Sequence, residues 1–139
     1  MATAFDTRAQ RGNPQLPFIH PDDMANRYAL TGRGNCMAPV ITDGALIAFD
    51  KRETPEPGDL VGIVFTREAA VRHGMPGIVK RLVSRPTFGC VAIIVVEQLN
   101  PPRSFSIAST DVLAVHKLIG LAVDRGDGKA MITPLGGAQ

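Results

Sequence analysis

The sequence predicts a mostly-β protein of short strands and tight turns, and three observations point there. The 139 residues include 11 prolines and 14 glycines, more than a helical bundle tolerates. Between these breaks lie short apolar runs rich in valine and isoleucine, the residues that suit a pleated, buried surface. Apolar residues make up 45% and charged residues 20%, the balance of a globular chain with a real core. The length allows one such domain and is short for two.

Residues 1–27 carry Pro14, Pro17 and Pro21 among polar neighbours and read as an extended N-terminal arm, with a short helical turn at Pro21-Asp22-Asp23-Met24. A helix-turn-helix needs about 20 residues of helical periodicity, which this arm lacks, so direct reading of a DNA sequence by this chain is not expected. Residues 28–125 form the expected domain. Tyr28 to Gly32 reads as a strand entering a glycine-rich turn, and Pro39 discourages regular sheet after Cys36. Asp43-Gly44 is a turn signal before the apolar run Ala45 to Phe49. Pro55, Pro57 and Gly58-Asp59 punctuate again before Leu60 to Phe65. Thr66 to Gly77 is polar and reads as a loop with a helical turn around Glu68-Ala69-Ala70. Ile78 to Val83, Cys90 to Glu97 and Ser104 to Ile107 read as further strands, the second of them central to a sheet. Val112 to Val123 closes the domain as one long strand or two, and residues 126–139 are a tail.

Several functions are disfavoured. The net charge is +2 and the basic residues are spread along the chain, so no electrostatic footprint for nucleic acid stands out. One tyrosine and no tryptophan leave little to stack on single strands. No apolar run approaches a membrane span, and Met1 to Asn13 lacks the apolar core of a secretory signal, so a cytoplasmic location is expected. In that reducing setting Cys36 and Cys90 are expected as thiols. His20, His73 and His116 lie far apart, with no metal-ligand spacing to a cysteine, so neither a zinc site nor another cofactor is expected.

Two features carry chemistry. One is Gly34-Asn35-Cys36-Met37-Ala38-Pro39-Val40-Ile41, followed at once by Asp43-Gly44. A nucleophile in a glycine-flanked turn is expected to be exposed, with backbone N–H groups around Asn35 to Met37 directed at an oxyanion. The other is Lys80, inside Val79-Lys80-Arg81-Leu82. Successive strand residues face opposite ways, so one of Lys80 and Arg81 must point inward or sit at an edge. An inward lysine holds its ammonium form at a cost and is suited to act as a general base. By residue type alone, Cys36 also reads as a small buried hydrophobe and Lys80 as an edge-strand lysine that snorkels to water. Cys90 reads as core, Met37 as packing beneath the turn, and His116 as a structural or surface histidine. Pro39 and Asp43-Gly44 shape the turn.

The ordered set of these features resembles the peptidase half of LexA-type repressors and UmuD-like proteins. That pattern is a Gly-x-Ser-Met box, a nearby proline, an Asp-Gly turn, an apolar strand ending in Asp, a Gly-Asp turn and a Val-Lys-Arg-Leu strand. Here they stand as Gly34-x-Cys36-Met37, Pro39, Asp43-Gly44, Leu46 to Asp50, Gly58-Asp59 and Val79 to Leu82. Leu99-Asn100-Pro101 is similar to the family's Glu-Asn-Pro stretch, and Ile119 to Val123 to its closing strand. The resemblance covers about residues 28 to 125 and favours the inward reading of Lys80. It implies compact, strongly bent antiparallel sheets of the β-clip type shared with signal peptidases. It also implies a serine–lysine peptidase of SOS-type stress responses, with Cys36 as nucleophile and Lys80 as base. A homodimer, a polypeptide substrate or regulatory protein partner, and a recombinase filament or DNA polymerase as associate are further implications. The apolar run Val112 to Val123, exposed at a sheet edge, would be a second reason to expect a dimer.

The chain departs from the family in three ways. Cysteine replaces serine at position 36. Cys36 and Lys80 lie 44 positions apart, longer than usual, with the surplus in Thr66 to Gly77. The dipeptides Ala-Gly and Cys-Gly, where family members cut themselves, do not occur. The expectation is therefore a peptidase acting on a partner or at another site in its own chain, or an inactive interaction module on the same fold.

Overall fold

The computed structural model describes residues 18–88, 91–124 and 130–134. It is mostly β, with every strand pairing antiparallel. The strands are β1 (Arg27–Thr31), β2 (Leu46–Asp50), β3 (Leu60–Phe65), β4 (Gly77–Ser84), β5 (Thr87–Phe88), β6 (Val91–Leu99), β7 (Pro102–Ala108), β8 (Val112–Asp124) and β9 (Ala130–Thr133), with one helix, α1 (Arg67–His73). Along the sheet the order is β1-β2-β8-β3-β4-β6, with β7 beside β6 and β9 beside β8, while two-residue β5 pairs only with the start of β6. The register slips between Ala48 and Phe49, Val64 and Phe65, and Leu82 and Ser84. Such irregularities bend and twist the strands that carry them.

Four expectations change. The segment Thr66 to Gly77 holds a true helix: Thr66 accepts a hydrogen bond from the Ala69 amide, and Gly74 closes the last turn at φ 74°. Ala69 and Ala70 are its buried face, too short an apolar stripe to stand out in sequence. The run Val112 to Val123 is one continuous strand, β8, which pairs with β3 over Val112 to Lys117 and with β2 over Lys117 to Leu121, so it lies within the sheet order and not at its end. The end of the supposed arm belongs to the body. Phe18 and Ile19 are buried, and the Lys51 ammonium donates to the Pro21 and Met24 carbonyls, each at 2.8 Å. Finally, residues assigned to the tail supply β9. Cys90, expected in the core, lies outside the described residues.

Two apolar clusters hold the sheet. One gathers Ile19, Leu30, Cys36, Met37, Ile41, Ile47, Phe49, Leu60, Val64, Val79 and Leu118; the other joins Phe18 and α1 to Val61, Ile63, Phe65, Leu82, Ile94 and Val96. At Gly120 in β8 the neighbouring strand leaves no room: a β-carbon would stand 2.3 Å from the Thr133 carbonyl oxygen. Gly120→Ala is therefore expected to push β9 off β8 and cost about 1–3 kcal/mol. Urea denaturation checks this, and an unchanged midpoint would contradict it.

Two buried polar groups beside the first cluster are structural. Asp50 accepts from the Arg52 side chain and amide and from Arg27, whose Cα lies opposite it in β1. The Arg52 hydrogen bonds, above all, hold its carboxyl well below the usual carboxylate range. His116 places Nδ1 2.5 Å from the Tyr28 hydroxyl. Burial, aided by nearby Lys51, lowers the histidine from 6.5 to about 4, and burial raises the tyrosine. The tyrosine hydroxyl and the ring thus share a hydrogen bond between two neutral groups at neutral pH.

Because the folded chain resists protonating His116, acidification favours the unfolded state. Stability is constant above the ordinary histidine value and falls as pH drops from 6.5 towards about 4. The loss is expected to be about 1–2 kcal/mol, less than the full linkage value because water screens part of the ring. Asp50 contributes its own loss only further into acid, through and below the usual carboxylate range. Denaturation across this interval should show a smaller decline in His116→Gln; equal declines would contradict the assignment.

Candidate active site

The turn that carries Cys36 is built from its own side chains. Gly34 adopts φ 85°, a conformation costly for residues with a β-carbon. Its amide donates to Asp43 Oδ1 at 2.7 Å, and the Asp43 amide donates to Asn35 Oδ1 at 2.9 Å. This reciprocal clamp explains why Asn35 and the Asp43-Gly44 turn occur together in the sequence. Inside it, the Ala38 amide donates to the Asn35 carbonyl and the Ile41 amide to that of Met37, both at 3.0 Å. Met37 and Ile41 are fully buried beneath the turn.

A second element grips the same turn from far along the chain. The amides of Leu99 and Asn100 both donate to the Cys36 carbonyl, at 2.9 and 2.8 Å. The Asn100 side chain adds a 3.3 Å bond to the Asn35 carbonyl. The Leu99-Asn100-Pro101 stretch closes the β6–β7 hairpin, and Gln98 Nε2 donates to the Pro101 carbonyl at 2.9 Å. The cysteine's main chain is thus fixed on two sides. Nothing in the sequence itself pairs this stretch with Cys36.

Lys80 enters from β4. It opposes Val61 of β3 and shares its face with Leu82, both members of the second cluster, whereas Cys36 belongs to the first. Its Nζ lies 3.2 Å from Cys36 Sγ. The pair therefore sits at the seam between the clusters. Lys80 is 2% exposed and Cys36 is 1% exposed. Across the sheet, the Phe105 ring of β7 has its centroid 5.8 Å from Lys80 Nζ. Arg81 leaves by the opposite face and pairs with Glu97 at 3.1 Å.

The structure thus brings Cys36 and Lys80 together, with Asn35 and Met37 flanking the sulfur in the chain. It corrects one expectation: Cys36 is not exposed. Most of the turn is exposed, with Asn35, Pro39, Val40 and Asp43 on the surface, but the side chains of Cys36, Met37 and Ile41 point into the first cluster. Chemically, a thiol and an amine at this distance can pass a proton between them, and the sulfur so activated can attack a carbonyl carbon. Among the described residues, no group of three or more histidine, cysteine or acidic side chains is placed to hold a metal ion, and no helix is long and apolar enough to cross a membrane. No protein-family model, curated protein or solved structure matches the chain.

Proposed function

We propose that this chain is a LexA/UmuD-like peptidase domain in which Cys36 attacks a peptide carbonyl and Lys80 serves as general base. The observation that carries the reading is the 3.2 Å contact between two buried side chains that the sequence motifs single out independently. In the proposed reaction Lys80 takes the thiol proton as Sγ bonds to the carbonyl carbon, and returns it to the leaving amine. Water then releases the acyl group from sulfur. Backbone N–H groups around Asn35 to Met37 would hold the oxyanion. The substrate is a peptide bond of a partner, or one in this chain other than the family's usual dipeptides.

One observation favours a second reading, an inactive interaction module: the sulfur is covered, and a peptide must displace its cover to reach it. A proteome-derived peptide library, read by mass spectrometry, separates the two. New cuts by the parent chain or by Cys36→Ser, lost in Lys80→Ala, support the peptidase. The serine variant restores the family's nucleophile with a smaller atom. No cut by either folded protein supports the module.

A further inference from the structure

The pair that activates a thiol also has the geometry to disarm it. We infer that Cys36 and Lys80 form a reversible sulfur–nitrogen crosslink when the protein meets hydrogen peroxide. That the crosslink switches off a peptidase rests on the proposed function; its formation does not.

The chemistry needs two steps. Cys36 Sγ attacks a peroxide oxygen; the O–O bond breaks, sulfur is oxidised by two electrons, and sulfenic acid and water result. The Lys80 amine then attacks that sulfur; an S–N bond forms, the S–O bond breaks, and hydroxide leaves with an amine proton as water. The protein has lost two hydrogens. A thiol that reaches the site when the fold opens reverses the change: it attacks Sγ and frees the amine, and a second thiol resolves the mixed disulfide.

Burial selects this fate over the usual ones. Sulfenic acids are ordinarily captured by thiols, but a sulfur that is 1% exposed does not meet a bulky thiol without opening of the fold. Peroxide is little larger than water. The amine is already 3.2 Å away, itself 2% exposed, and Cys36 Sγ accepts its hydrogen bond. Holding two reactants at such a distance gives the internal reaction an effective concentration that an external competitor cannot match. A serine at position 36 could not do this, since its oxygen has no sulfenic state.

The test treats the full folded chain with hydrogen peroxide and maps the products by mass spectrometry. The expected main product of Cys36 has lost about 2 Da, joins the Cys36 and Lys80 peptides, and resists trypsin after Lys80. Dithiothreitol should restore both mass and cleavage. A disulfide to Cys90 gives the same mass change, so the linked peptides decide. Lys80→Met and Cys36→Ser should each lack the crosslink, as should the parent unfolded in urea before oxidation. Sulfinic acid or a disulfide as the main Cys36 product in the folded parent would overturn the inference. So would a crosslink that persists when the chain is unfolded first. Failure here leaves library cleavage standing, and failure of cleavage leaves the crosslink standing.

Discussion

Lys80→Met is expected to lower peptide cleavage by about 10²–10⁴-fold, the usual contribution of a general base, while leaving the fold as stable as the parent or more so. Methionine fills nearly the volume of the lysine stem and cannot accept a proton. Lys80 is 2% exposed, and its Nζ donates a hydrogen bond to the Cys36 sulfur. Replacing a buried polar contact by an apolar side chain of similar size is commonly neutral or stabilising. A residue kept for structure behaves the other way. Loss of about 3 kcal/mol in urea denaturation, with cleavage unchanged, would make Lys80 a structural residue. Alanine is the poorer choice here because its cavity alone destabilises.

Phe49→Ala is expected to cost about 3–5 kcal/mol, a large share of the total of about 5–15 kcal/mol typical of one domain. Phe49 is fully buried in β2, opposes Leu118 of β8, and stacks on Tyr28 with ring centroids 5.2 Å apart. Its removal opens the first cluster, which also holds Cys36, and loosens the tyrosine hydrogen-bonded to His116. Val71→Ala, on the open face of α1 at 60% exposure, should change stability by less than about 0.5 kcal/mol. Urea midpoints measure both. A loss below about 1 kcal/mol at Phe49 would show that the cluster does not bear on stability as its burial implies.

Much of the sheet was legible because strands here are continuous apolar runs bounded by proline and glycine. Leu60 to Phe65 is read to the residue, and β4 and β6 to within two residues at each end. The elements that escaped lack such a signal. The helix α1 buries only two alanines, and β9 follows a glycine-rich stretch and owes its strand state to pairing with β8. At the site, the Gly34-to-Gly44 turn follows from local chemistry, while strand alternation leaves open which of Lys80 and Arg81 points inward and only the family resemblance favours Lys80. The grip of Leu99 and Asn100 on the Cys36 carbonyl spans more than 60 positions, and no local rule contains it. The cover over Cys36 was missed for a related reason. A turn rich in glycine reads as exposed, and most of this one is, yet its Cys36 side chain turns inward with Met37 and Ile41.

The proposed mechanism needs a working contact between Cys36 and Lys80, and the rate of Cys36 alkylation by iodoacetamide tests it without knowledge of a substrate. The rate is measured in the folded parent and in Lys80→Met, and each is divided by the local opening constant of the Cys36 turn, read from hydrogen exchange of the Ala38 and Ile41 amides, an opening that leaves Lys80 in place on β4. Lysine next to the sulfur raises its thiolate fraction, so the parent should react at least about tenfold faster on this scale. Equal normalised rates would mean that Lys80 does not activate Cys36, and the proposed mechanism would fail.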